Sequence, residues 1–119
     1  MGIDRHTPLA YASNLMIFIE SPIFTKEIQK YLADEDLRRL QAVLLLRPET
    51  GDIIRGSGGL RKIRWNLPGK GKRGGLWIIY YFNPPETVYL IFPYRKSRKE
   101  DLTQQQIKIL AQLVEDYLQ

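Results

Sequence analysis

Apolar positions along the chain follow two spacings, which predict a mixture of strands and helices. Residues 15–20 (LMIFIE) are a short run of apolar β-formers and predict a strand. Ser21 and Pro22 follow it and have the residue types of an N-cap and of proline at the first helical position. The next segment predicts a helix, because its apolar residues recur at i, i+4, i+7 and i+8: Phe24, Ile28, Tyr31 and Leu32.

A second helix is predicted from the acidic triplet at residues 34–36 to Pro48. Acidic residues in a first turn complement the positive end of the helix dipole, and leucines then recur on one face. The triplet could also form a carboxylate site, but helix capping is the favoured interpretation. Residues 50–59 form a glycine-rich connection.

The second half of the chain predicts three strands and one helix. The strands cover residues 60–66, 76–82 and 87–92, and a loop at 67–75 and a turn at 83–86 separate them. Thr103 and Gln106 make a capping box for a helix that runs to the terminus. The order β-α-α-β-β-β-α predicts an α+β fold, with a small antiparallel sheet, two N-terminal helices and a C-terminal helix. We expect one domain over residues 15–119, preceded by a loose leader over 1–14.

Composition excludes several classes of site. The chain has 119 residues and no cysteine, which rules out disulfides, thiol catalysis and cysteine-ligated metals. The single histidine, His6, leaves no histidine pair for a ribonuclease or metal site. No apolar run approaches the roughly 20 residues of a membrane span, and no secretory signal opens the chain. We therefore expect a cytoplasmic protein with no bound metal and no membrane partner.

Positive charge is concentrated in the middle of the chain. The formal net charge is +5, but residues 47–99 hold twelve basic and three acidic side chains. Such a block suits a polyphosphate partner, although solvated surface lysines would give the same count. Glycines and aromatic residues interleaved with the basic residues favour nucleic acid.

Residues 69–74 match the pattern G-x-G-x-x-G, but they lie between two predicted strands. A dinucleotide-binding turn must open a helix, so that backbone N–H groups face the pyrophosphate. The segment is better interpreted as a basic hairpin loop, in which Lys70, Lys72 and Arg73 supply charge and the glycines permit close approach to phosphates.

Alternation along residues 60–65 predicts that Lys62 and Arg64 share one face of a strand, while Arg61 lies on the other. Two like charges about 7 Å apart repel each other, and a bound phosphate would relieve that repulsion. An ordinary exposed sheet face is the alternative.

Tyr94 lies among four cations after the last predicted strand: Arg95, Lys96, Arg98 and Lys99. A phenol in such a place can stack on a base or exchange a proton. The alternative is a tyrosine that anchors the last helix to the sheet.

Together these segments resemble the HigB branch of the RelE toxin superfamily. The resemblance rests on residues 56–64 (GSGGLRKIR), 70–75 (KGKRGG) and 78–81 (IIYY), on Tyr94 with Lys96, and on Asp101-Leu102. It extends from about Ile17 to the terminus.

The resemblance implies a small α+β toxin of a type II toxin–antitoxin system. Such toxins enter the A site of the 70S ribosome and cut the mRNA there, without a metal, cofactor or small-molecule ligand. A cognate antitoxin, in this branch usually a helix-turn-helix protein like HigA, silences them. A ribose 2′-hydroxyl attacks the neighbouring phosphate, cations stabilise the transition state, and lysine or tyrosine handles protons.

Carried over by position, the resemblance implies five catalytic residues: Lys62, Arg64, Arg73, Tyr94 and Lys96. We also predict a set that binds RNA or the ribosome, in which Lys70 and Lys72 match the basic loop of the family: Arg61, Lys70, Lys72, Trp77, Arg95, Arg98 and Lys99.

One position departs from the family pattern. Relatives commonly carry an arginine where this chain has Trp77, and that arginine is thought to hold the scissile phosphate. Trp77 could instead stack on a base, with Arg73 or Arg64 supplying the cation. Alternatively, the chain is a weakened toxin, or one that acts by binding the ribosome or gyrase without cutting. A third hypothesis, binding of free single-stranded RNA, is the weakest, because the basic block has few exposed aromatic residues.

Overall fold

The computed structural model describes residues 16–67, 75–97 and 101–119, which form the predicted α+β fold. The predicted leader over 1–14 lies outside these residues. The strands are β1 (Ile17–Glu20), β2 (Asp52–Ile53), β3 (Arg61–Asn66), β4 (Gly75–Asn83) and β5 (Thr87–Arg95). The helices are α1 (Pro22–Ile28), α2 (Asp34–Leu46) and α3 (Gln104–Leu118). Among the described residues, no helix is both long and apolar enough to cross a bilayer.

The five strands form one sheet in the order β1-β5-β4-β3-β2. Its three long strands pair antiparallel, as predicted, but β1 runs parallel to β5, so the sheet is mixed. The chain leaves β1 through two helices and returns to the far edge of the sheet, which leaves β1 beside the last strand. The short strand β2 was not predicted. It lies in the glycine-rich connection and pairs antiparallel with β3, and two residues are too few to carry an alternating pattern.

Each face of the sheet carries its own hydrophobic core. On one side, which we call the α1–α2 face, Phe24, Leu40 and Leu44 from the helices pack against Ile78, Tyr80 and Leu90 of the sheet. On the other side, the α3 face, Leu110 and Val114 pack against Ile79, Tyr89 and Ile91. Adjacent residues of β4 therefore enter different cores, as strand alternation requires.

A β-bulge in β5 changes which residues reach the α3 face. Tyr80 pairs with Leu90 and Ile79 pairs with Phe92, so Ile91 is an extra residue between them. The hydroxyl of Ser21 donates a hydrogen bond to the carbonyl of Ile91 at 2.6 Å. An inserted residue shifts the alternation by one position, so Phe92 points to the α3 face instead of the α1–α2 face.

Helix ends follow the predicted capping chemistry. Ser21 is the N-cap of α1, where its hydroxyl accepts a hydrogen bond from the backbone N–H of Phe24, and Pro22 is the first helical residue. Thr103 and Gln106 form the predicted capping box at α3. The acidic triplet occupies the first turn of α2, which confirms its interpretation as a helix start.

Tyr80 ties the segment after α2 to the centre of the sheet. Its hydroxyl donates to the carbonyl of Pro48 at 2.8 Å and accepts from the N–H of Gly51 at 2.8 Å. A Cβ at Gly51 would lie 2.7 Å from the Tyr80 ring, so the close approach requires glycine there. Burial raises the pKa of the Tyr80 hydroxyl above its ordinary value of 10.0.

Replacement of this hydroxyl should destabilise the fold. We expect Tyr80→Phe to lower the free energy of unfolding by about 1–3 kcal/mol, because the buried N–H of Gly51 loses its acceptor. The raised pKa means that the folded state holds the phenolic proton more tightly than the unfolded state. The associated stabilisation is complete below about pH 10 and is lost as pH rises through the folded-state value. Chemical denaturation across this pH range measures both effects.

The adjacent Tyr81→Phe is the matched control, since Tyr81 lies on the opposite face of the same strand. If Tyr81→Phe costs as much stability and alters the alkaline limb as strongly as Tyr80→Phe, the role assigned to the Tyr80 hydroxyl is wrong.

Candidate nucleic-acid interface

Three adjoining rows of residues cross β3, β4 and β5 on the α3 face. Strand register aligns Lys62 with Ile79 and Phe92 in the first row and Arg64 with Trp77 and Tyr94 in the second. Asn66 pairs with Gly75 in the third row, and the N–H of Lys96 donates to the carbonyl of Gly75 at 3.0 Å. Residues two apart on a strand are about 7 Å apart, and neighbouring strands are about 5 Å apart. Three predicted cations and one tyrosine therefore lie within a few strand spacings of one another.

The side chain of Arg64 lies across the glycine that opens β4. A Cβ built on Gly75 would be 3.6 Å from Nε of Arg64 and 3.9 Å from its Cγ. Arg64 therefore extends over the third row, the row in which Lys96 continues the strand ladder. The absence of a side chain at Gly75 allows Arg64 to lie close to the sheet there.

Lys62 contacts two side chains that lie far from it along the sequence. Its Nζ lies 3.2 Å from Oδ1 of Asp101, which lies just before α3, and 4.7 Å from the centroid of the Trp77 ring. The side chain of Asp101 is 81% exposed, so the ion pair is worth about 0–1 kcal/mol. A weak pair of this kind orients the ammonium but leaves it able to bind a phosphate.

Tyr94 is placed as the anchoring tyrosine that was predicted as one of its two alternatives. It is buried within the core under α3, and its ring stacks on that of Phe92 at a centroid distance of 6.1 Å. It therefore helps to hold the sheet to the helix, as an anchoring tyrosine does. It also belongs to the lining of an open cleft beside Lys62.

Trp77 occupies the centre of the second row, between Arg64 and Tyr94. It is half-buried, and the Lys62 ammonium covers part of its ring. Its indole Nε1 is buried and has no hydrogen-bond acceptor among the described residues. The predicted stacking of Trp77 on a base would have to share the ring with Lys62.

Two residues predicted to bind RNA or the ribosome lie on the opposite face of the sheet. Arg61 pairs with Tyr80, and its guanidinium donates to the carbonyls of Glu49 and Gly51 at 3.1 and 2.7 Å. Arg95 pairs with Leu76, whose side chain belongs to the core under α1 and α2. The structure thus separates both arginines from the rows that hold Lys62 and Arg64. The remaining predicted site residues lie outside the described residues: Lys70, Lys72, Arg73, Arg98 and Lys99.

A cleft of about 380 Å³ adjoins the first row and adds residues that the sequence interpretation missed. Arg55 enters it from the turn after β2, and Asp101 and Gln104 enter it from the start of α3. The pairing of β2 with β3 carries Arg55 there, and a two-residue strand offers no sequence signal for that pairing. Asp101 belonged to the recognised motif, but its contact with Lys62 depends on tertiary structure.

The arrangement suits the binding of an anionic ligand. Fixed cations on a rigid sheet, with a polar aromatic residue beside them, can hold a phosphate and stabilise added negative charge. The described residues contain no group of three or more acidic or histidine side chains that could hold a metal ion.

Comparison with known proteins places this fold. No family model matches the chain. Among solved structures, a double arginine-to-alanine mutant of Escherichia coli toxin RelE in the free state superposes with a TM-score of 0.51. The identity is 21%, and the match covers 72% of this chain and 88% of the toxin. The fold is therefore RelE-like, which confirms the predicted fold class.

Proposed function

We propose that this chain is the toxin of a type II toxin–antitoxin pair, of the HigB branch of the RelE superfamily, and that it cuts translated mRNA in the ribosomal A site. One observation carries the proposal: Lys62, Arg64 and Tyr94 lie in adjoining rows on one face of a rigid sheet, and the ladder extends to Lys96 in the next row. The RelE-like fold supports it, since the fold matches a protein described as a toxin.

The proposed reaction uses the RNA itself as nucleophile. The 2′-hydroxyl of the ribose loses its proton and attacks the adjacent phosphorus, and the bond to the next 5′-oxygen breaks. The products are a 2′,3′-cyclic phosphate and a 5′-hydroxyl. Arg64, Lys62 and Lys96 would offset the extra negative charge on the phosphoryl oxygens, and Tyr94 or a lysine would transfer the protons. Arg73 from the basic loop would add a further cation.

This chemistry agrees with the composition of the chain. The single histidine, His6, excludes a histidine-pair mechanism, and the absence of cysteine excludes a thiolate. Guanidinium and ammonium groups are the cations that remain available in quantity, because eighteen lysines and arginines are present. The proposal needs no metal or other cofactor.

The proposed partners follow from the reaction. The substrate is mRNA held by the 70S ribosome, so the protein would act in the cytoplasm. A helix-turn-helix antitoxin like HigA would bind and silence it. The basic residues outside the cluster, among them Lys70, Lys72, Arg98 and Lys99, would contact RNA or the ribosome.

A second candidate function is inhibition by binding alone, on the ribosome or on gyrase. The observation that favours it is Trp77, which stands at the centre of the second row where relatives commonly carry arginine. Loss of one donor to the transition state can cost about 10²- to 10³-fold in rate. The buried Nε1 of Trp77 does not replace a guanidinium, because it carries no charge.

Alanine substitutions of the three cations assigned to the transition state test the nuclease directly. We expect Lys62→Ala, Arg64→Ala or Lys96→Ala to relieve the growth arrest that expression of the wild-type chain causes. Each should reduce mRNA cleavage by about 10²- to 10³-fold, because each removes a cation from the charged transition state. Mapping of mRNA ends after induction measures cleavage, and circular dichroism establishes that the variants fold.

Arg38→Ala is the matched control, because it removes an exposed charge from α2 on the other side of the sheet. Full toxicity in all three alanine variants would show that the site is wrong. An arrest that leaves the message whole in the wild type would favour the binding function instead.

Restoration of the family residue tests the departure at Trp77. We expect Trp77→Arg to increase cleavage and toxicity, because it adds a guanidinium between Arg64 and Tyr94 and removes an indole whose N–H finds no acceptor in the described part of the chain. Titration of the inducer against growth, with mapping of mRNA ends, compares the two proteins. A decrease would mean that the indole itself contributes to ligand binding.

A further inference from the structure

The cleft beside Lys62 has the volume of a small-ligand site. Its volume of about 380 Å³ falls within the range of roughly 300–1,000 Å³ that is typical of such sites. Apolar walls come from both sides of the cleft: Ile53 and Ile54 beside β3, and Leu102 and Ile107 around the start of α3. An aromatic ring bound in the cleft would contact apolar side chains from both of these segments.

Polar residues line the cleft as well. They are Asp101 with a carboxylate, Gln104 with an amide and Tyr94 with a phenol. Apolar walls with a few hydrogen-bonding groups are how proteins bind an unstacked nucleobase, which is recognised by its Watson–Crick edge. Arg55 is exposed at the cleft, where its guanidinium could pair with the phosphate of a bound nucleotide.

The cleft is connected to the proposed catalytic cluster through Lys62, which belongs to both. An ammonium has three donors, so Lys62 can hold Asp101 at 3.2 Å and a phosphate at the same time. A carboxylate has two oxygens and about four acceptor sites, so contact of Oδ1 with Lys62 leaves acceptor capacity on Asp101. A base bound to Asp101 would therefore lie one nucleotide or less from a phosphate bound to Lys62.

We propose that this cleft binds the nucleobase next to the scissile phosphate and that Asp101 and Gln104 make guanine the preferred base. The inference rests on the proposed function and adds its base specificity.

Guanine is the base whose hydrogen-bond donors match the two oxygens of a carboxylate. Guanine presents a ring N–H and an amino group side by side, so one carboxylate accepts from both. Adenine and cytosine place an acceptor beside their amino group, and the lone pair of that acceptor faces the carboxylate unfavourably. Uracil flanks its single N–H with two carbonyls. The amide of Gln104 can donate to the remaining guanine carbonyl, which no carboxylate can do.

Binding to the free protein tests the cleft without the ribosome. The probes are 5′-GMP, 5′-AMP, 5′-CMP and 5′-UMP, titrated separately into the full-length protein and followed by amide chemical shifts. We expect 5′-GMP to bind at least about fivefold more tightly than 5′-UMP, with shifts at Ile54, Arg55, Asp101 and Gln104. Equal affinity for the four nucleotides, or shifts confined to other surfaces, would overturn the inference.

Cleavage mapping on translated mRNA tests the specificity in the reaction. In the wild type we expect guanine to be enriched beside the cut. Asp101→Asn should reduce that enrichment, measured as the share of all cuts that lie beside guanine, about fivefold or more, because an asparagine amide no longer presents two acceptors to guanine. Gln104→Ala should weaken the preference less. The control is Asp116→Asn, which makes the same charge change on α3 at a residue that is exposed and bonded to Gln112.

The two claims fail in different ways. A wild-type protein that leaves the message whole refutes the proposed nuclease, and the nucleotide titration then decides the cleft alone. Cleavage with the same base preference in the wild type and Asp101→Asn upholds the nuclease and refutes the assignment of Asp101.

Discussion

The register of β5 against β4 determines whether a cationic cluster with an aromatic group exists on this sheet. Strand alternation alone would send Tyr94 to the same face as Leu90, into the core under α1 and α2. The extra residue at Ile91 reverses that outcome and brings Tyr94 beside Trp77 and Arg64 on the α3 face. The carbonyl of the inserted residue is satisfied by the buried hydroxyl of Ser21, which is also the N-cap of α1. One serine therefore stabilises both the first helix and the strand distortion on which the cluster depends.

The cationic cluster combines repulsion between its own charges with the capacity to bind a phosphate. Lys62 and Arg64 project from the same face of β3 about 7 Å apart, so each raises the electrostatic energy of the other. Asp101 relieves part of that energy, but its exposure keeps the relief small. Because the ion pair is exposed and weak, a phosphate can compete with Asp101 for the Lys62 ammonium. The exposed pair leaves positive charge on this surface largely uncompensated, and a bound phosphate would neutralise it.

Local sequence predicted the features that depend on neighbours along the chain. The alternation from Leu60 to Asn66 correctly separated Lys62 from Arg61, and the caps at Ser21 and Thr103 correctly placed two helix starts. Features that depend on pairing between distant segments were not predictable in this way. They include the parallel contact of β1 with β5, the bulge in β5, the short strand that carries Arg55 to the cleft, and the contact of Asp101 with Lys62. Each of these arises from tertiary packing, and no residue pattern within one segment encodes it.

The chemical nature of the RNA ends tests the central claim most directly. Purified wild-type protein would be mixed with ribosomes programmed with a defined mRNA, and both termini at the cut would be identified by mass spectrometry. Attack by the ribose 2′-hydroxyl within a cradle of cations predicts a 2′,3′-cyclic phosphate, or the 3′-phosphate to which it hydrolyses, and a 5′-hydroxyl. A 3′-hydroxyl paired with a 5′-phosphate would mean that water attacked the phosphorus, and it would contradict the account.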